Sequence, residues 1–311
     1  MRVILLALGF LSYASPTLAW DYYVNNLLGD DRQNGLAEEP DVVDGPVATI
    51  GQALKIAAPG DHIYVANTGE PYREQVSLSG CNPRGRDDRP LVISGNGATL
   101  DGTVAAAYGA WRHVRGDVFA MRPRRLTYQQ LFLQGKPLDR VHLVSLHGID
   151  TTLEPLHWAL GQGHIYLRVE QGHLPHLYDL RHAGLQTGIT LHNTHNVVIE
   201  DFVVQGFQQD GLNAHELVKD CVLRRIECRA NGRCGLSAGG VSRVRVEQSN
   251  FYDNGRWQVR AEQQAQIDLE QCDVAASEQS LKYGLAGGRL TVDGQLVTSG
   301  DESARSHDSM R

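Results

Sequence analysis

Four ionisable residues in the second half of the chain carry the side chains that acid–base chemistry requires. They are Asp210, His215, Arg260 and Glu262. An imidazole titrates near neutral pH, so His215 can act as a base, and a guanidinium such as that of Arg260 can hold an anion in place. Two carboxyl groups, one protonated and one ionised, can instead catalyse hydrolysis together. The sequence therefore predicts either proton abstraction beside a bound anion or hydrolysis by a carboxyl pair.

A repeat of about 23 residues determines which elements must position these side chains. Between Gly188 and Val274, apolar blocks recur whose last members are spaced 24, 23 and 23 residues apart. These last members are Ile199, Leu223, Val246 and Leu269. Apolar residues at alternate positions indicate strands, and strands that recur at a short fixed period indicate stacked coils around one interior. We therefore predict an all-β solenoid in which equivalent residues of successive coils lie in one file.

One outward file of the predicted solenoid begins with charges of alternating sign. Its members are Glu200, Arg224, Glu247 and Glu270, of which the first three alternate. Adjacent rungs of a sheet lie about 4.8 Å apart, so opposite charges on neighbouring coils attract each other by roughly 0.2–1 kcal/mol per pair. We interpret this file as a structural ladder.

The other outward face has no alternating charges to explain its polar residues. Its two files are Thr190, Asn213, Ser237 and Arg260, followed by His192, His215, Gly239 and Glu262. A glycine file, Gly188, Gly211 and Gly235, comes just before them. A polar face centred on small residues is expected to form a shallow groove that admits a sugar chain. The residues predicted to bind that chain are His192, Asn213, Ser237 and Trp257.

The overall composition limits the kind of partner. The formal net charge of −7 and the sequence pI near 6.0 disfavour a nucleic-acid binder and a protein that binds anionic membranes. A polyanionic polymer would need a local cationic patch. No apolar run after the N-terminal segment approaches the length that spans a bilayer, so a protein without transmembrane segments is predicted, and a monomer is expected.

The chain is predicted to divide into five segments. Its first residues combine one charge, a short apolar core and the small residues Thr17 and Ala19, which is typical of a secretory signal peptide cleaved after Ala19. Export is therefore expected. A helix between Thr49 and Ala58, ended by Pro59, is expected to cap the first coil. The predicted segments are 1–19 (signal peptide), 20–104 (N-terminal cap and first coils), 105–185 (inserted antiparallel β-rich module), 186–298 (further coils) and 299–311 (disordered tail).

The chain resembles the right-handed parallel β-helix proteins of the pectate-lyase-like superfamily. The resemblance rests on Pro59-Gly60-Asp61 before Ile63-Tyr64-Val65, on Pro90 through Gly95, on Ala98 through Gly102, and on Asn231-Gly232 and Asn254-Gly255 in consecutive coils. It implies that fold, with sugar bound across a face of parallel strands. Members include polysaccharide lyases, glycoside hydrolases and non-catalytic surface proteins, and the fold alone does not choose among them. Calcium is implied only by the resemblance to lyases.

Three functional hypotheses stay open. A lyase that acts on a uronate, the slightly favoured one, would use Arg260 to hold the carboxylate and His215 or His192 to remove the adjacent proton. A hydrolase would use Asp210 and Glu262, which lie two coils apart and are thus separated by roughly 10 Å of rise. A non-catalytic surface or adhesion protein would instead show an open face without convergent ionisable groups. In the competing structural interpretation, the histidines are a solvated pair and Asp210 forms a turn.

Overall fold

The computed structural model describes residues 19–80, 84–86, 88–107, 109–125, 127–143, 145–277 and 280–298. The predicted signal peptide, apart from Ala19, and the predicted disordered tail lie outside these described residues. No helix among the described residues is long and apolar enough to cross a membrane.

Strands dominate the described residues. In chain order they are β1 Asp21–Val24, β2 His62–Val65, β3 Val76–Ser79, β4 Leu91–Asp101, β5 Thr103–Ala105, β6 Arg112–Arg115, β7 Val118–Met121, β8 Leu131–Leu133, β9 Lys136–Pro137, β10 Trp158–Gly161, β11 His164–Arg168, β12 Leu180–Ala183, β13 Ile189–His192, β14 Val197–Gln205, β15 Asp210–His215, β16 Cys221–Arg224, β17 Glu227–Arg229, β18 Cys234–Ala238, β19 Arg243–Glu247, β20 Asn250–Tyr252, β21 Trp257–Glu262, β22 Gln266–Glu270, β23 Asp273–Val274, β24 Leu281–Ala286, β25 Arg289–Val292 and β26 Gln295–Leu296. The helices are α1 Ile50–Ile56, α2 Ile149–Thr152 and a 3₁₀ helix at Pro175–Leu177.

Two parallel sheets form the body of the molecule. The front sheet has the order β24-β21-β18-β15-β13-β3, and its outward surface is called the front face below. The back sheet has the order β1-β2-β4-β14-β16-β19-β22-β25-β26, with β17, β20 and β23 continuing it beyond a corner. Each late coil supplies one strand to the front sheet and then two to the back sheet. Each of these strands pairs with the equivalent strand of the next coil, as in a parallel β-helix.

The strand register confirms the predicted stacking of equivalent residues. Ile199 pairs with Leu223, Leu223 with Val246, and Val246 with Leu269. These side chains lie in one continuous apolar core. The corner after each of these strands is made by one residue with positive φ, such as Asp201 at 59°. The predicted all-β class and the right-handed parallel β-helix are therefore confirmed.

The glycine file at the start of the front strands faces the interior. A Cβ atom built on Gly211 would lie 2.7 Å from Asn231 Nδ2, and one built on Gly235 would lie 2.8 Å from Asn254 Nδ2. Because the next residue, Leu212 or Leu236, also packs in the core, two successive residues point inward at this position. The interpretation of these glycines as part of an outer groove is therefore wrong, since they make room for buried amides.

Those buried amides form a hydrogen-bonded stack between coils. Asn231 Nδ2 donates to Asn254 Oδ1 at 3.0 Å, and Asn254 Nδ2 donates to Gln258 Oε1 at 2.7 Å. Gln258 Nε2 then donates to Ser280 Oγ at 2.8 Å. Buried polar groups are stable when such partners satisfy them. The stack thus ties consecutive coils together beneath the start of the front strands.

Residues 103–183 contain two antiparallel sheets, β10-β11-β7-β6 and β5-β12-β8-β9. Trp158 and Tyr166 are buried in the cores of this region, with Trp158 Nε1 donating to the Leu138 carbonyl at 2.9 Å. Helix α1 begins after Thr49, whose hydroxyl accepts from the Gln52 amide at 3.1 Å. The capping role of α1 and the independence of 105–185 as an inserted module stay predictions.

Candidate functional site

The front face brings together all eight residues that the sequence singled out. Thr190, Asn213, Ser237 and Arg260 pair in succession along one file. His192 pairs with His215 in the next file. A third outward file contains Asp210, Cys234 and Trp257. Asp210 and Cys234 point outward because each comes directly before a glycine that faces the interior. The catalytic and binding roles of these residues stay predictions, but they share one surface.

Asp210 is completely buried beneath the side chains around it. Arg233 Nε donates to Asp210 Oδ1 at 2.8 Å, and Arg233 Nη2 donates to Asp210 Oδ2. Asn213 Nδ2 donates to the same Oδ2 at 2.8 Å. The bidentate ion pair raises the pKa of Arg233, so the guanidinium keeps its charge. Asp210 is thus held in place as a fixed hydrogen-bond acceptor.

Trp257 is the centre of a second cluster, one coil further on. The Cζ atoms of Arg256 and Arg260 lie 4.5 and 4.2 Å from the centre of its ring, which is cation–π distance. Arg260 Nε also forms an ion pair with Glu262 Oε1 at 2.9 Å. The indole rests against Gly284 of the next strand, where an added Cβ would lie 2.7 Å from Trp257 Cδ1. Packing therefore fixes the ring, and the ring orients both guanidinium groups.

His192 and His215 form a tilted pair of rings at the other end of the front face. Their ring centres are 4.6 Å apart with 41° between the planes. Burial lowers the pKa of His215, and the neighbouring His192 lowers it further, while Glu216 acts in the opposite direction. The imidazole of His215 is therefore neutral at pH 7 and able to accept a proton.

The rung between these clusters carries small outward residues. Ser237 is buried by its neighbours, with 3% of its surface exposed. An added Cβ at Gly239 would have only Gln263 Oε1 within 4 Å, at 3.6 Å. The front face is thus lowest at Gly239, between the rung of His215 and the rung of Glu262.

The register separates Asp210 from Glu262. Asp210 aligns with Cys234 and then with Trp257, so Glu262 lies five residues further along its strand than the aligned position. Five residues of strand add about 16 Å to the rise between coils. The separation of roughly 10 Å predicted for Asp210 and Glu262 from the rise alone is therefore too short for their Cα atoms. Each of the two carboxylates also forms an ion pair with a different guanidinium group.

Two arginines of the site, Arg233 and Arg256, were missed by sequence reasoning. The amide of Arg256 donates to the Arg233 carbonyl at 2.9 Å, so the two residues occupy the same place in consecutive coils. The signal was present in the tripeptide Asn-Gly-Arg, which occurs at 231–233 and again at 254–256. The resemblance to parallel β-helix proteins rests on the Asn-Gly part of this tripeptide alone. The arginine gave no signal because it lies outside the apolar repeat.

The described residues do not gather a metal site. No group of three or more His, Cys, Asp or Glu side chains within the described ranges could hold an ion. The carboxylates of the front face are engaged by arginines instead. The calcium implied by the resemblance to lyases therefore has no matching donor set among these residues, and no reaction step is derived through it.

Comparison with known proteins places the fold. A scan of protein-family models finds no match, and a search of curated proteins finds no relative. Among solved structures, a glycoside hydrolase matches with a TM-score of 0.56 at 10% identity, over 86% of this chain and 74% of that chain. The complex of XylC with xylose matches with a TM-score of 0.45 at 12% identity, over 87% of this chain and 68% of that chain.

The likeness to the glycoside hydrolase agrees with the sheet topology. This chain is a parallel β-helix protein. More particularly, it has the right-handed parallel β-helix fold that the sequence predicted.

Proposed function

We propose that this chain is an exported carbohydrate-active protein that binds a polysaccharide across the front face and cleaves it, by β-elimination in preference to hydrolysis. The observation that carries the proposal is His215, a half-buried imidazole with a lowered pKa on the same surface as Arg260. A neutral base and a fixed cation are the two groups that elimination from a uronate requires.

The reaction places the sugar ring over the low rung at Gly239. Arg260 neutralises the uronate carboxylate, which makes the hydrogen on the adjacent carbon more acidic. His215 accepts that proton, the carbon–carbon double bond forms, and the bond to the glycosidic oxygen breaks. The departing oxygen takes a proton from water. The Cα atoms of His215 and Arg260 are separated by two rungs and by two residues along the strand, about 12 Å in all, which leaves room for one ring between the side chains.

Hydrolysis is less favoured by the same geometry. An acid–base pair needs one carboxyl group that stays protonated beside one that is ionised. Asp210 pairs with Arg233 and Glu262 pairs with Arg260, so each carboxylate belongs to a separate ion pair. The two residues are offset by five residues of strand as well as by two rungs, which is too far for both carboxyl groups to act on one glycosidic bond.

The test is a panel of uronate-containing and neutral polysaccharides. Unsaturated products are followed by ultraviolet absorbance and new chain ends by a reducing-sugar assay. β-Elimination gives both signals on a uronate polymer, and His215→Ala and Arg260→Ala lose both. Reducing ends without new absorbance would establish hydrolysis instead. Binding to a polysaccharide without either signal would leave the non-catalytic surface or adhesion protein as the function.

Export is proposed from the N-terminal segment alone. A charged residue, an apolar core and small residues at Thr17 and Ala19 are the features that a signal peptidase recognises. Sequencing the N-terminus of the protein recovered outside the cytoplasm is expected to begin at Trp20. Recovery of the uncleaved chain inside the cell would contradict the proposal.

A further inference from the structure

We propose that Arg256 and Arg260, stacked on Trp257, form a paired-guanidinium site for a carboxylate of an acidic glycan. The proposal rests on the function proposed above, because it names the class of glycan that the front face takes. It also assigns Trp257 a role different from the predicted one, as a brace for the two arginines.

The charges around Trp257 do not balance. Asp210 pairs with Arg233, and Glu262 pairs with Arg260 through Nε. Arg256 is exposed and makes no ion pair with any residue in the described ranges. Three guanidinium groups thus face two carboxylates. An unpaired cation at a site with fixed geometry is a place where an anion can bind.

The shared indole brings the two guanidinium groups close together. With distances of 4.5 and 4.2 Å to the ring centre, their Cζ atoms are at most about 9 Å apart. Like charges at this distance repel each other, and a bound anion relieves the repulsion. Arginine also presents a planar fork of donors that fits a carboxylate in bidentate fashion. Arg256 keeps all of its donors for such a contact.

Glu262 sets the limit on this site. Its carboxylate forms an ion pair with Arg260 Nε at 2.9 Å and repels a second anion placed beside it. It leaves the terminal nitrogens of Arg260 without a partner among the described residues. The bound carboxylate is therefore expected to be held mainly by Arg256 and by the outer nitrogens of Arg260.

The ring of Trp257 is already engaged by protein groups. Two guanidinium groups and the backbone at Gly284 contact it, whereas a sugar-stacking platform needs an open aromatic face. The cation–π contacts also hold side chains that would otherwise sample many rotamers. We therefore assign Trp257 to pre-organising the arginines.

Three arginines precede a residue that lies beside the same end of the front strands. Tyr128 approaches Gly232, where an added Cβ would be 2.8 Å from Tyr128 Cβ, so this residue lies close to the coil of Arg233. Arg122, Arg124 and Arg125 come shortly before it in the chain, are exposed and make no ion pair with a described residue.

Positive charge is also concentrated in the segment of the chain that contains these arginines. Residues 105–185 contain nine Lys and Arg against six Asp and Glu, although the whole chain has a net charge of −7. A positive module beside a site for one carboxylate suits a ligand that repeats its negative charge, which is an acidic polysaccharide in preference to a small anion.

The test measures binding of a defined acidic oligosaccharide to the full chain. An oligogalacturonate, its methyl ester and sodium sulfate are titrated calorimetrically into the wild type, Arg256→Gln and Arg243→Gln. Arg243 is exposed on the back sheet without an ion pair to a described residue, so it is the matched control. We expect Arg256→Gln to weaken oligogalacturonate binding about tenfold or more, and Arg243→Gln to leave it unchanged.

The esterified oligosaccharide separates charge recognition from general sugar binding. The wild type is expected to bind the acid form at least about tenfold more tightly than the ester, and Arg256→Gln to remove that preference. Equal affinities of the wild type for the acid and the ester would overturn the proposal. So would sodium sulfate, if it bound as tightly as the acid form and depended on Arg256, because the site would then recognise small anions and not the glycan.

Two substitutions at Trp257 test the brace. Trp257→Phe keeps an aromatic face for the guanidinium groups and is expected to retain most of the affinity for the acid, whereas Trp257→Leu is expected to behave like Arg256→Gln. If Trp257→Leu weakens the ester as much as the acid, the ring is a sugar platform and the brace is wrong. Cleavage measured on the same samples keeps the two proposals apart. If the wild type cleaves a uronate polymer and Arg256→Gln binds it with unchanged affinity, only the paired-guanidinium site is refuted. If binding depends on Arg256 but no cleavage occurs, only the lyase is refuted.

Discussion

The two outward faces of the solenoid use similar charged residues in opposite ways. On the back sheet, Arg224 lies between Glu200 at 3.5 Å and Glu247 at 2.8 Å, each one coil away. On the front face, Arg233 and Arg260 bond to carboxylates of different files, and Arg256 has no ion-pair partner in the described ranges.

This difference separates structural charges from functional ones. A ladder in which opposite signs alternate from coil to coil satisfies itself, because every charge meets its partner at the spacing of the rungs. A charge that appears once in its file, as Glu262 does after His192, His215 and Gly239, is not explained by the repeat. We infer that interruptions of the repeat mark the site better than the charges themselves do.

The largest expected effect is on catalysis, at His215. Replacing the proposed base with alanine should lower kcat by about 10²–10⁴-fold, which is the usual contribution of a general base. Rates on a uronate polymer are compared with those of His147→Ala, which removes an exposed histidine far along the chain. Equal rates for the two variants would remove His215 from the mechanism.

The second effect is on stability, beneath the same face. Gly235→Ala places a methyl group 2.8 Å from Asn254 Nδ2 and Phe251 Cδ1, so it should destabilise the fold by about 1–3 kcal/mol. Gly239→Ala points into open space on the front face and should change the free energy of unfolding by less than about 0.5 kcal/mol. Urea unfolding measures both. If Gly239→Ala destabilised the protein more than Gly235→Ala, the glycine file would have to line the outer groove and not the interior.

The third effect is a pH dependence confined to the front face. Because the pKa of His215 is lowered from its ordinary value of 6.5, the imidazole loses its proton at a pH below 6.5. Activity should therefore rise with pH through that region and be constant at neutral pH. The unfolded chain binds this proton more tightly than the folded one, so stability should fall as pH drops below 6.5. A rate that increases toward acid would contradict the assignment of His215 as base.

The smallest effect is expected on the ladder. Arg224→Met keeps the aliphatic stem and removes one half-exposed charge between two glutamates, so it should cost less than about 1 kcal/mol in thermal or urea unfolding. Rates on the polysaccharide should not change. A loss of activity comparable to that of His215→Ala would show that the back face takes part in function and that the contrast between the faces does not hold.

Most of the solenoid was predictable because its signal is repeated. Ile199, Leu223, Val246 and Leu269 occupy equivalent positions, and the repeating period leaves only one register in which all of them are buried. The outward files of the front face followed from the same register. The side on which Asp210 lies did not, because the inward pair at Gly211 and Leu212 shifts the alternation of sides at that point.

The sequence by itself determined the fold, the interior files and the face on which the candidate residues lie, since a short period repeated four times constrains every coil at once. Only the tertiary structure decided which charges meet. Arg233 reaches Asp210 and Trp257 rests against Gly284 across neighbouring coils, through side-chain conformations that no spacing in the sequence records. The free charge of Arg256 follows from those pairings, because it is what remains after the other guanidinium groups of the site have found their carboxylates.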